Sequence, residues 1–329
     1  MFGLTEITTW HWIGFVIAIL IFLALDLGVF HRKAHVVKIS EAALWSSVGV
    51  VLASLFAGWL YQARGKEEAV EFVTGYIIEL ALSMDNVFVM ALIFAYFRVP
   101  PQFQHRVLFW GILGALVMRG VMIGSGAALI ARYHWILYFL GGVLIYSGAK
   151  MVFADDEGVH PEKNPVLKLA RKFYPVTSDF EGQKFFTTLN GVRAITPLAL
   201  VLLMVETTDL IFAIDSIPAI FAVTTKPFIV FTSNVFAILG LRSMYFLLAG
   251  AIRYFRFLKV GLSLVLVFIG LKMLLPLVQK KLALLTTVEI STGLSLVIVA
   301  GIIFVSMVFS LFAGRREARL ERDCKASKR

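Results

Sequence analysis

The chain has 329 residues, 59% of them hydrophobic and only 16% charged, with a formal net charge of +10. A mean hydropathy of +0.86 lies far outside the soluble range and indicates a polytopic membrane protein. The single cysteine, Cys324 in the basic tail, excludes a disulfide framework and any CxxC metal or redox motif.

Residues 1–10 hold no Lys or Arg, and the first apolar run is too long for the apolar core of a signal peptide, so no cleaved leader is expected. A window of about 19 residues predicts nine spans, near 10–30, 41–61, 70–97, 107–131, 135–153, 194–223, 228–250, 257–278 and 288–313. Trp10, Trp12, Trp45, Trp59, Trp110 and Trp135 fall near the ends of these runs, as interfacial anchors do. The predicted fold class is all-α, a polytopic helical bundle.

Lys and Arg set the orientation. With the basic tail 314–329 in the cytosol, nine spans place the N-terminus outside. Arg32, Lys33, Lys38, Arg98, Arg106, Arg253, Arg256, Lys259 and the central loop are then cytosolic. The external segments hold fewer cations: Arg64, Lys66, Arg132, Lys226, Lys280 and Lys281. Topology and contact with anionic lipid account for the net charge, and nucleic acid is not needed as a partner.

The one long hydrophilic stretch is 154–193. Asn164-Pro165 reads as an N-cap and first helical residue, with Val166, Leu169, Ala170 and Phe173 on one face opposite Lys168, Arg171 and Lys172. This predicts a short helix on the inner membrane surface. Phe185 to Leu189, Asn190-Gly191 and Val192 to Ile195 then read as a hairpin with a type I′ turn.

Two acid clusters lie within apolar runs: Glu79, Asp85 and Asn86 in the third span, and Glu206, Asp209, Asp215 and Ser216 in the sixth. Glu79-x5-Asp85-Asn86-Val87 aligns with Asp209-x5-Asp215-Ser216-Ile217. Gly111-Ile112-Leu113-Gly114 aligns with Ala237-Ile238-Leu239-Gly240, Arg119 with Arg242, and Ser147 to Met151 with Ile269 to Met273. Each copy holds three spans, and an odd number predicts an inverted 3+3 repeat. The chain then divides into two N-terminal spans (1–69), repeat one (70–153), the cytosolic loop (154–193), repeat two (194–278), the ninth span (279–313) and the tail (314–329).

A carboxylate near a bilayer centre costs at least about 2.5 kcal/mol, so five of them indicate an ion path. Glu79 and Asp209 form the expected central pair, with Glu206 one turn from Asp209. A six-residue step rotates by about 240° and turns Asp85 and Asp215 away, unless the helices unwind locally. Pro218 offers a cause for unwinding beside Asp215; the third span, with Ser83 and Asn86, has none. Arg119 and Arg242 suit fixed counter-charges, Asp26 either reaches water or contributes to the path, and Asn234 with Ser233 either packs helices or ligates. Lys150 and Lys272 are expected to snorkel.

The runs Glu79 to Val89 and Glu206 to Ala219, with Ser233 to Arg242, resemble the signature motifs of the TerC/Alx membrane proteins, and the resemblance covers about 26–272. It implies a transporter fold of the LysE superfamily, a bacterial inner-membrane location, and manganese efflux or metal supply to exported proteins. It also carries the label of tellurium resistance, which names a phenotype. Chemistry independently favours a hard divalent cation, since carboxylate, amide and hydroxyl oxygens suit Mg²⁺, Mn²⁺ or Ca²⁺. The resemblance selects Mn²⁺ among them. His11, His31, His35, His105, His134 and His160 all fall at termini or in loops of the predicted spans.

No Walker A motif is visible, so a secondary transporter or channel is expected, with no catalytic residues and no bound cofactor. An intramembrane aspartyl protease is disfavoured because no Gly-x-Gly-Asp surrounds Asp85, Asp209 or Asp215. A membrane scaffold that hands metal to exported proteins, with protein partners on the cytosolic side, stays open. The expected metal-site residues are Glu79, Asp85, Asn86, Glu206, Asp209, Asp215 and Ser216, with Asp26, Arg119, Asn234 and Arg242 accessory.

Overall fold

Long apolar runs satisfy their backbone polar groups internally by forming helices, the one economical solution in a medium without water. The computed structural model describes residues 7–25, 39–153, 164–189, 191–248, 258–281 and 290–327. The helices are α1 (Thr9–Leu25), α2 (Ile39–Arg64), α3 (Lys66–Tyr96), α4 (Pro101–Arg132), α5 (Trp135–Phe153), α6 (Pro165–Phe173), α7 (Pro197–Phe221), α8 (Pro227–Leu248), α9 (Leu258–Lys281) and α10 (Thr292–Ser327).

Eight of these helices are long and apolar enough to cross a membrane, and the apolar segment of α1, Thr9–Ala24, is shorter. At 1.5 Å per residue, the 17 residues of α1 fall just short of a hydrocarbon core of about 30 Å. The first predicted span, near 10–30, is therefore present as an apolar helix of sub-spanning length among the described residues. His11 and His105 lie inside α1 and α4, not in loops, and His105 is buried. Asp26, His31, His35 and His160 lie outside the described residues.

Helices α2 and α3 join through Gly65 alone, whose φ of 96° is a conformation that favours glycine. Asn164 caps α6 by accepting from the backbone N–H groups of Val166 and Leu167. Of α6, Leu167 is buried and Ala170 packs beside it against α7, while Leu169 and Phe173 of the predicted apolar face stay exposed. The hairpin forms as expected, β1 (Phe186–Leu189) pairing antiparallel with β2 (Val192–Ile195) from Phe186↔Ile195 to Leu189↔Val192. Gly191 has the positive φ of 80° that such a turn requires; Asn190 lies outside the described residues.

The centre of the bundle is α3, which packs on α2, α7, α8 and α10. Large apolar side chains on α1, α2 and α10, among them Leu20, Leu55, Val297 and Phe304, face outward, as lipid-facing positions do. The antiparallel crossing of α5 and α9 is the most extensive helix contact. Gly141 meets Gly270, and Gly148 meets Ser263, whose hydroxyl donates to the Gly148 carbonyl at 2.5 Å. Gly148 and Gly270 align in the sequence, and Gly141 and Ser263 each lie seven residues earlier, so the two contacts mirror one another. Helices α3 and α7 are also antiparallel, with Gly75 beside Ile220 and Asn86 beside Asp209.

A methyl at Gly270 would sit 2.6 Å from the Gly141 carbonyl oxygen, and backbone does not yield as a side chain does. Gly270→Ala should therefore destabilise the protein by about 1–3 kcal/mol. Gly142→Ala, with nothing within 4 Å, should leave stability unchanged or slightly raised. Thermal unfolding of the two purified variants checks the contrast; equal melting would place the α5–α9 crossing further apart.

Candidate functional site

An arginine in an apolar helix must find anions, because an unpaired buried charge is costly. Arg119 of α4 is 2% exposed and meets two carboxylates at once. It pairs with Glu79 through Nη1 and grips Asp209 bidentately, Nε to Oδ2 at 3.1 Å and Nη2 to Oδ1 at 2.9 Å. Asn86 Nδ2 donates to the same Asp209 Oδ1 at 2.6 Å, and Nη1 of Arg119 reaches Ser216 Oγ at 3.4 Å. The expected central pair, Glu79 and Asp209, is thus held together by the expected counter-charge.

Asp85 and Asp215 take another direction. Helix α7 runs unbroken through Pro218, so no unwinding brings Asp215 round to Asp209. Pro218 is fourth from the helix end and removes only one donor there, which explains why the helix survives. The 240° rotation instead turns Asp215 toward α5, where Ser147 Oγ donates to its Oδ1 at 2.7 Å. Helix α3 is likewise continuous through Asp85, which is half-buried.

Beside them lies a partly open cavity of about 50 Å³, lined by Glu79, Ser83, Asp85, Asn86, Arg119, Asp215 and Ser216 with apolar walls from Leu82, Met151, Phe212 and Leu266. Three lining residues each keep a buried oxygen with no hydrogen-bond partner: Glu79 Oε2, Ser83 Oγ and Asn86 Oδ1. Unpaired buried acceptors are rare, and a hard cation would satisfy them. Among the described residues, no three His, Cys, Asp or Glu side chains gather closely enough to hold a metal by themselves. Any ion here would draw on Asp85, Asp215 and the Oε2 of Glu79 with neutral amide and hydroxyl oxygens, since the single charge of Arg119 offsets only one of the two carboxylates that it grips.

Glu206 is half-buried and lies against Gly114, where a methyl group would collide with its carboxylate; it does not line the cavity. Asn234 is wholly buried in α8 with both side-chain amide atoms unpartnered, and it does not line the cavity. Ser233 fills the space over Gly75 and donates to the Val230 carbonyl, a packing role. Arg242 lies in α8, and its side chain is outside the described residues, as is all of Asp26.

Ser147 was not among the expected site residues, although it stands where the second copy has Ile269, a polar residue against an apolar one. A second polar group, with no counterpart among the expected site residues, lies where the α2–α3 and α7–α8 junctions meet. Arg64 pairs with Glu68 at 2.8 Å; Lys226 Nζ lies 3.4 Å from Glu68 and 3.2 Å from Glu71, and Thr224 donates to Glu71 at 2.9 Å. Burial opposes the charge on Lys226, but Glu71 and Glu68 outweigh it and hold the ammonium above its ordinary value.

The sequence model of the Integral membrane protein TerC family matches residues 64–318, which includes every residue of this site. The chain belongs to that family. It is 50% identical to an uncharacterized membrane protein, STKORF319, of Myxococcus xanthus over 95% of each chain. It is 44% identical to proteins named "Putative membrane-bound redox modulator Alx" in Salmonella typhi and Escherichia coli (strain K12), covering 93% of this chain and 95% of theirs. No solved structure matches. The family match begins at Arg64, so α1 and most of α2 lie outside it, whereas the helices that build the cavity all lie within.

Proposed function

We propose that this TerC-family protein is a secondary transporter that exports a hard divalent cation, Mn²⁺ in our reading, in exchange for protons. The observation that carries the proposal is the small cavity among apolar helices lined by three carboxylates, Glu79, Asp85 and Asp215, where Glu79, Ser83 and Asn86 each keep an unpartnered buried oxygen. Oxygen donors favour Mg²⁺, Mn²⁺ or Ca²⁺ over softer metals, and the family resemblance selects Mn²⁺ and the outward direction. Protons compete with a metal for the same carboxylates, so exchange is the simplest coupling.

Alternating access is part of the reading. An inverted repeat is supported by the antiparallel crossings of α3 with α7 and α5 with α9, and by the mirrored glycine contacts. The reading counts α1 as the ninth crossing; the N-terminus outside, the tail inside and the inner bacterial membrane are then supported by the Lys and Arg distribution and the resemblance.

A metal-handing scaffold is a second reading, favoured by a hairpin that exposes Phe186 (70%) and Val192 (58%) to a partner. The "redox modulator" name of the relatives fits either reading through a redox-active metal, since one cysteine cannot form a disulfide within the chain. Purified protein in liposomes separates the two: a transporter moves Mn²⁺ with opposite proton flux, whereas a scaffold moves none. Absence of flux above protein-free vesicles, in either orientation of the gradients, would overturn transport.

A further inference from the structure

At one end of the bundle, the start of α3, the start of α5, the end of α7 and the later turns of α9 surround a cavity of about 380 Å³. It is separate from the central site, and Ile78, Leu144, Ala219 and Ile269 form a buried apolar layer nearby in α3, α5, α7 and α9. Its polar lining comes from Glu71, His134, Tyr138, Thr224, Thr225, Lys226 and Lys272.

The charges do not balance. Glu68 and Glu71 are matched by Arg64 and Lys226 in the network described above. Lys272 is left over: it is half-buried in an apolar helix, and its ammonium has no ion pair or hydrogen bond among the described residues. Among the described residues the side chains of Tyr138, Thr225 and His134 likewise make no hydrogen bond, and each can donate. The 19-residue α5 begins just after His134 and directs the positive end of its dipole to the same place.

An excess ammonium with three unengaged donors repels a cation, and a neutral ligand would leave the charge uncompensated. We propose that this vestibule binds a phosphate-type oxyanion, through Lys272 as the charged anchor with Tyr138, Thr225 and His134 as donors. Two sources share this chemistry, a free oxyanion and the headgroup of an anionic lipid whose tail lies along the bundle. The inference does not depend on the metal reading, because it uses none of the central residues.

The test uses the full-length protein purified in detergent, with melting followed against inorganic phosphate at constant ionic strength set by chloride. A parallel arm measures melting and bound lipid by native mass spectrometry with phosphatidylglycerol or phosphatidylcholine added. A saturable rise with phosphate identifies the free oxyanion; a rise with phosphatidylglycerol alone identifies the headgroup. In either case Lys272→Gln should weaken the apparent affinity about tenfold or more, and Lys272→Arg should keep most of it. If Lys272→Gln does not fold, the Tyr138→Phe, Thr225→Val double variant must show the weakening instead. No saturable response to either ligand, or a response unchanged in these variants, overturns the site.

Discussion

Replacing Arg119 with Leu should be the most destabilising single substitution in the central site, costing about 3–5 kcal/mol. Two carboxylates, Glu79 and Asp209, depend on this one guanidinium, which is 2% exposed and makes bonds from Nε, Nη1 and Nη2. Leu fills part of the volume but leaves both anions without a counter-charge, and Asn86 supplies only one neutral donor to Asp209. The measurement is thermal unfolding with recovery of folded protein after extraction. Adding Glu79→Gln and Asp209→Asn to Arg119→Leu should restore a substantial part of the loss, because the triple variant has no stranded charge. A single variant that melts with the parent would show that water already reaches Glu79 and Asp209.

Much of this centre is legible in the sequence alone. An arginine and several acids in apolar runs must pair, and the alignment of the two halves put Glu79 with Asp209. Helical rotation also gave the right direction for Asp215, away from Asp209. What rotation cannot supply is the neighbour: Ser147 and Gly114 enter only through the packing of α5 and α4 on α7. The expected unwinding at Pro218 rested on local chemistry alone, and a proline one turn from a helix end disrupts too little to produce it.

Boundaries missed for a related reason. Hydropathy marks the apolar stretch, whereas a helix continues as long as its backbone bonds do. Helix α3 begins at Lys66, ahead of the expected residue 70, because Glu67, Glu68 and Glu71 are good helix formers near a positive helix start. Helix α10 likewise runs past Gly314 through its charged segment to Ser327. Within the apolar interior, where length and composition coincide, α5 has the expected bounds.

The same division of the acids predicts an effect on flux without a matching effect on folding. Asp85→Asn and Asp215→Asn should each lower Mn²⁺ flux in proteoliposomes by about tenfold or more, under the proposal that these two cavity-lining carboxylates ligate the ion. Neither is gripped by Arg119, so neither leaves the guanidinium unpaired. Asparagine keeps an oxygen that can accept from Ser147, so the 2.7 Å contact with Asp215 can survive the substitution. Ser147→Ala should act more mildly, since it leaves the carboxylate charge in place and removes only the group that orients it. Glu206→Gln provides the comparison, because Glu206 lies against Gly114 and does not line the cavity. Flux is to be read with expression and melting recorded on the same preparations. If Asp215→Asn retained parental flux at parental stability while Glu206→Gln lost it, the path would run along the α4–α7 contact, and the cavity would be a packing defect.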